Sequence, residues 1–129
     1  MNVYILLDRS GSMATLWNEA LGSINGYIEK LKKTDKVHLA VFDNEYEVLR
    51  DVKVKDWEDV TNEEVQPRGM TALYDSCGKI MTTAEEDDAK KSILVVMTDG
   101  YENSSHEHTQ ASIKARVKQF EDKKWEVIF

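Results

Sequence analysis

The chain has 129 residues, with 17 Lys and Arg against 24 Asp and Glu, which gives a formal net charge of −7. That length suits one domain with one hydrophobic core, and a hydrophobic content of 41% excludes wholesale disorder. The acidic balance disfavours nucleic acids and anionic membranes as partners, because both bind clusters of Lys and Arg and the sequence has no basic stripe.

The sequence also carries signals about its compartment. The single cysteine, Cys77, cannot form an internal disulfide, so we expect the reducing conditions of the cytoplasm. The first apolar run, residues 3–7, is too short for a signal peptide. No run approaches the roughly 20 apolar residues of a membrane span. We therefore expect a cytoplasmic protein that does not cross a membrane.

The beginning of the chain shows a strand pattern followed by a helix pattern. Residues 3–7 are wholly apolar, which is typical of a strand buried on both faces. Residues 13–33 carry apolar side chains at three- and four-residue steps, which predicts an amphipathic helix. Residues 37–42, which are apolar except for His38, predict a second strand.

A tight turn is predicted directly after the second strand, at Asp43-Asn44, because both residue types tolerate unusual backbone angles. The turn leads to a third, antiparallel strand over residues 45–52. Its polar character predicts a place at an edge of the sheet. Residues 53–66 form a charged connection whose pattern fits neither a helix nor a strand.

The second half of the chain continues the alternation. We predict a helix over residues 71–84, a solvated acidic loop at 85–88, and a wholly apolar strand at 93–97. A helix over 109–121 and a further strand over 125–129 follow. Strands alternating with helices predict a three-layer, doubly wound α/β fold, with a mostly parallel sheet, one antiparallel edge strand and right-handed crossovers.

Ligands in such folds bind beyond the carboxyl ends of the strands, where the strand order reverses. Three polar segments fall at positions of this kind. They are Asp8-Arg9-Ser10-Gly11-Ser12, Arg68-Gly69-Met70-Thr71 and Thr98-Asp99-Gly100. If the first and fourth strands are neighbours, the three segments converge on one edge of the sheet.

Five side chains in these segments present oxygen: Asp8, Ser10, Ser12, Thr71 and Asp99. Hard oxygen ligands suit Mg²⁺ or Mn²⁺ rather than zinc or copper. The spacing of Asp8, Ser10 and Ser12 on a turning segment can direct three oxygens at one point. Because hydroxyls are neutral, they leave the charge of the ion only partly neutralised, so the ion would favour an incoming carboxylate from another molecule.

Asp8-x-Ser10-x-Ser12, Thr71, and Asp99 followed by glycine together resemble the metal-ion-dependent adhesion site of von Willebrand factor type A domains. The resemblance follows the whole chain in element order. It implies that Ser10, Ser12 and Thr71 contact Mg²⁺ directly, while Asp8 and Asp99 hold water molecules or switch between direct and indirect contact. It further implies protein binding, mostly without catalysis, in which a Glu or Asp of a partner protein completes the coordination.

Five further side chains are predicted to line the rim of this site. They are Arg9, Arg68, Met70, Tyr101 and Glu102. Arg9 and Arg68 would steer a partner carboxylate, or would instead be solvated or pair with acids of their own chain. Met70 would add adaptable apolar contact or ordinary packing.

Several of these motifs have a plainer interpretation. The serine pair of the first segment is also a common turn and helix cap, and Thr71 is also a good N-cap. The pair His106 and His108 has the form of a zinc motif, but it lacks a third ligand nearby and favours an exposed loop.

Two other functions fit parts of the pattern. A Mg²⁺-dependent phosphohydrolase resembling the haloacid dehalogenase superfamily would also place an aspartate after its first apolar strand. That superfamily has a second carboxylate two residues later, where this chain has Ser10, whose hydroxyl cannot act as a general acid near neutral pH. The other function is metal-independent scaffolding, in which the motif is a relic.

The chain departs from the family it resembles at its end. Phe129 lies within the fifth parallel-type element, whereas family members continue through a further strand and a final helix. We therefore expect a single domain over residues 1–129 that lacks those two elements. The unpaired edge of its last strand would allow the chain to associate with itself.

Overall fold

A mixed sheet forms the centre of the molecule. In the computed structural model, which describes residues 1–98, 109–122 and 125–128, five strands pair in the order β3-β2-β1-β4-β5. They are β1 (Asn2–Asp8), β2 (Lys36–Phe42), β3 (Tyr46–Lys53), β4 (Ser92–Met97) and β5 (Glu126–Ile128). All pairings are parallel except that of β3 with β2, so the predicted antiparallel edge strand is confirmed.

Helices cover both faces of the sheet. The first is α1 (Trp17–Glu29), preceded by a 3-10 helix at Gly11–Leu16, and it packs on one face. The other two, α2 (Leu73–Asp87) and α3 (Gln110–Asp122), pack on the opposite face. The predicted three-layer α/β fold is therefore confirmed.

The position of β1 in the middle of the sheet explains why its sequence is apolar without alternation. Val3, Ile5 and Leu7 pack toward α1, while Tyr4 and Leu6 pack toward α2 and α3, and each is at most 1% exposed. With β2 on one side and β4 on the other, β1 has helices on both faces and strands on both edges. The first and fourth strands are neighbours, which is the condition for the polar segments to converge, and their pairing brings the carboxyl ends of β1 and β4 together.

The charged connection over residues 53–66 proves to be part of the core. It begins with a 3-10 helix at Val54–Asp56, and Val54, Val60 and Val65 are each at most 5% exposed. The indole N–H of Trp17 donates to the carbonyl of Val65 at 3.1 Å. This burial could not be read from the sequence, because the three valines are spaced at neither a helical nor a strand period.

The acidic run at residues 85–88 was predicted as a loop, and that prediction was wrong. Helix α2 continues to Asp87 and ends at Asp88, whose φ of 45° is left-handed. The hydroxyl of Tyr4 donates to Asp87 Oδ2 at 2.7 Å, and Ala84 is fully buried against the sheet. These contacts with β1 and the core hold the last turn of the helix in place despite its like charges.

The far end of the sheet is formed by β5, which pairs with β4 on one side. Ile128 on this strand is 45% exposed. Self-association through the last strand stays a prediction. Among the described residues, no helix is long and apolar enough to cross a membrane.

Candidate metal site

The carboxylate of Asp8 lies at the carboxyl end of β1 and is fully buried. Its Oδ1 accepts a hydrogen bond from the N–H of Ser10 at 2.8 Å, and its Oδ2 accepts one from the hydroxyl of Thr98 at 2.8 Å. Within the described part of the chain, no Lys, Arg or His side chain forms an ion pair with it. A buried carboxylate held by neutral donors alone is costly, so a cation bound here would offset that cost.

The two serines of the same segment present their hydroxyls together. Ser10 Oγ lies 3.1 Å from Ser12 Oγ, with Ser10 buried and Ser12 exposed. Ser10 is the N-cap of the 3-10 helix, but its side chain makes no cap hydrogen bond. Ser10 therefore occupies the cap position that the plainer interpretation predicts, but its hydroxyl contacts that of Ser12 instead of capping a backbone N–H.

Residues 66–72 precede α2, and we call them the 66–72 loop. Backbone hydrogen bonds join this loop to the segment that follows β1. The N–H of Gly11 donates to the carbonyl of Gly69 at 3.2 Å, and the N–H of Arg68 donates to the carbonyl of Arg9 at 2.6 Å. Thr71 is 2% exposed in this loop. The residue at the N-cap position of α2 is Ala72, which directly follows Thr71.

The two predicted rim arginines pair with acids of their own chain. The Arg9 side chain is 5% exposed; its Nη1 donates to Glu47 at 2.9 Å and its Nε lies 3.6 Å from Asp43 Oδ1. The Arg68 side chain is 55% exposed and donates to Asp43 at 3.0 Å and to Glu45 at 2.9 Å. The structure thus favours local pairing for both, and it places Arg9 beneath the surface rather than on an open rim.

Sequence reasoning missed two side chains next to the site. Thr98, at the end of β4, donates to Asp8, although only its neighbour Asp99 was singled out. Asp43, at the end of β2, was predicted only as a turn residue, yet its carboxylate is buried among the arginines just described. The available signal resembled that for Asp8, since Asp43 directly follows a strand that is apolar over residues 39–42 and lies in the interior of the sheet.

Other predicted residues are placed as follows. Met70 is 53% exposed, which suits a rim position. Predictions for five residues lie outside the described part of the chain: Asp99, Tyr101, Glu102, His106 and His108. Among the residues that are described, no group of three or more His, Cys, Asp or Glu side chains is placed to hold a metal ion. The predicted donor set differs in kind, because it draws on hydroxyls.

A family model described as the von Willebrand factor type A domain matches residues 3–102. The chain belongs to this family. Type A domains are generally protein-interaction modules, and they are generally non-enzymatic. No curated protein sequence matches the chain.

Several solved structures share the fold. The ArnB paralog VWA2 from Sulfolobus acidocaldarius has a TM-score of 0.68 and 17% identity, over 82% of this chain and 29% of that one. A von Willebrand factor type A protein from Catenulispora acidiphila has a TM-score of 0.66 and 19% identity, over 98% and 32%. BatB from Bacteroides thetaiotaomicron, a conserved hypothetical protein, has a TM-score of 0.62 and 18% identity, over 98% and 64%. The type A chain thus spans less than two thirds of each.

Proposed function

We propose that this type A domain is a metal-dependent protein-binding module. Mg²⁺, or Mn²⁺ in its place, would be held by five oxygen-bearing side chains, and a Glu or Asp of a partner protein would complete its coordination. The five side chains are Asp8, Ser10, Ser12, Thr71 and Asp99. The bound ion would supply a concentrated positive charge that attracts the partner carboxylate.

The observation that carries this proposal is the burial of Asp8 without a cationic partner among the described residues. Asp43, the aspartate that directly follows β2, is also buried, but Arg9 and Arg68 lie beside it, so the fold supplies cations to that carboxylate. Next to Asp8 it provides the backbone N–H of Ser10 and the hydroxyl of Thr98 instead, and the hydroxyls of Ser10 and Ser12 lie 3.1 Å apart in the same segment. Neutral oxygens around a buried negative charge suit a hard divalent cation.

The surroundings also suit a partner that approaches from solvent. Ser12, Arg68 and Met70 are exposed beside the buried Asp8 and Ser10. An ion held partly by hydroxyls would face this exposed side, and Met70 would offer apolar contact to the partner. Tyr101 and Glu102 belong to the same proposed rim.

The change in stability when Mg²⁺ is added tests the proposal, and it requires no known partner. The intact chain and Asp8→Asn would be melted with and without Mg²⁺, and Mg²⁺ would be titrated into each by calorimetry. Asparagine keeps an oxygen acceptor for the N–H of Ser10 but removes the charge. At a Mg²⁺ concentration of 100 times Kd, the intact chain should gain about 2.7 kcal/mol of stability, and Asp8→Asn should gain none.

The matched control is Asp51→Asn, which removes the same charge from an exposed position on β3. It should gain as much stability from Mg²⁺ as the intact chain does. Equal gains in the Asp8 and Asp51 variants would contradict the assignment of the site. No saturable binding in the intact chain would contradict metal dependence itself.

A further inference from the structure

Asp43 connects three segments that surround the candidate metal site. Its side chain is 3% exposed at the end of β2. Oδ1 accepts a hydrogen bond from the N–H of Glu45 at 2.9 Å and lies 3.6 Å from Arg9 Nε. Oδ2 accepts a hydrogen bond from Arg68 Nε at 3.0 Å. One carboxylate therefore touches the segment after β1, the turn before β3 and the 66–72 loop.

The backbone around Asp43 holds the residues on either side of Thr71. The carbonyl of Asp43 accepts a hydrogen bond from the N–H of Ala72 at 2.9 Å. The side-chain oxygen of Asn44 accepts one from the N–H of Met70 at 3.4 Å. Because Met70 and Ala72 are both attached to the turn after β2, the backbone position of Thr71 is set by that turn.

The charge of Asp43 also compensates a buried cation next to the site. Arg9 stands between Asp8 and Ser10 in the chain, and its N–H donates to the carbonyl of Phe42 at 2.7 Å. Its side chain is 5% exposed, and its Nε has no hydrogen-bond partner in the described structure. The carboxylate of Asp43 is therefore the buried negative charge that faces this guanidinium.

We propose that Asp43 is a positioning residue for the candidate metal site. It holds the 66–72 loop in register with residues 8–12, so that Thr71 and the two serines share one ion. It also balances the charges of Arg9 and Arg68, which would otherwise oppose a divalent cation nearby. Asp43 does not itself contact the metal. This inference rests on the proposed metal function.

The variant Asp43→Asn tests the proposal, because it keeps the size of the side chain and an acceptor for the Glu45 N–H but removes the charge. Glu45→Gln and Glu47→Gln are the matched controls, since each removes one exposed carboxylate that pairs with Arg68 or Arg9. Calorimetric titration with Mg²⁺ should show affinity at least about tenfold weaker in Asp43→Asn. The two controls should stay within about threefold of the intact chain.

Thermal unfolding without metal separates positioning from plain stability. A merely structural role would lower the Tm of Asp43→Asn yet leave the Mg²⁺ Kd unchanged at temperatures where the variant is fully folded. That result would overturn the proposal and leave the metal function standing. If the intact chain itself binds no Mg²⁺, the proposed function fails, and the positioning role fails with it.

A second measurement covers the case in which Asp43→Asn does not fold. In the intact chain, amide hydrogen exchange should protect Ala72, whose N–H is held by the Asp43 carbonyl, to the level of the central strand β1. Exchange of Ala72 at the rate of an unstructured peptide would overturn the proposal, because the 66–72 loop would then be unattached to β2.

Discussion

Replacing Gly69 with alanine would test whether the 66–72 loop is held as tightly as its contacts indicate. Gly69 has a φ of +69°, which is left-handed. A Cβ added there would lie 2.5 Å from Asn44 Oδ1 and 2.6 Å from Asp43 Oδ2. Alanine would therefore both strain the backbone and displace the carboxylate that anchors the loop.

The expected cost follows from three terms. The left-handed conformation costs an alanine about 1–2 kcal/mol. Displacing the Asp43 carboxylate would weaken its bond with Arg68, and because the Arg68 side chain is 55% exposed this adds only about 0.5–1 kcal/mol. Alanine also lowers the conformational entropy of the unfolded chain, which raises the free energy of unfolding by about 0.4–1 kcal/mol. We expect a net loss of about 1–2 kcal/mol, or about 4–7 °C in Tm for a chain of 129 residues.

Thermal and urea unfolding of Gly69→Ala would measure this loss, with Gly26→Ala as the control. Gly26 lies within α1, and nothing stands within 4 Å of an added Cβ. Alanine is the better helix former, so this control should gain about 0.5–1 kcal/mol. The same substitution should therefore lower the stability at Gly69 and raise it at Gly26. A Gly69→Ala variant whose Tm equals or exceeds that of the intact chain would refute the reasoning.

Two further predictions concern parts of the fold away from the site. Asn25 donates to the carbonyl of Val60 and accepts from its N–H, each at 3.0 Å, so Asn25→Ala should cost about 2 kcal/mol in urea unfolding. The exposed Asn62→Ala should cost under about 0.5 kcal/mol, and equal losses would contradict the anchoring role. Burial lowers the pKa of His38 from 6.5 despite the opposing effect of Asp51, so the unfolded chain takes up the proton first. Stability should therefore fall as the pH drops from about 6.5 through the folded pKa of His38, and an unchanged pH dependence in His38→Leu would contradict this.

Local patterns were enough to predict the layers of the fold. Uninterrupted apolar runs indicated β1 and β4, because a strand buried on both faces needs no polar alternation. Three- and four-residue spacing indicated the helices, and polar character indicated the edge position of β3. The candidate ligands Asp8, Ser10 and Ser12 were found in the same way, since they directly follow a buried strand.

Tertiary contacts decided what local patterns could not. The valines of the 53–66 connection are buried because α1 and the sheet offer them a surface, and their spacing carries no period. Arg9 is buried by Glu47 and Asp43, which lie more than 30 residues further along the chain. A charged side chain on a turn is normally solvated, and only partners brought by other strands make its burial tolerable. The sequence therefore determined which residues stand at the strand ends, while the packing of the strands decided which of their charges meet.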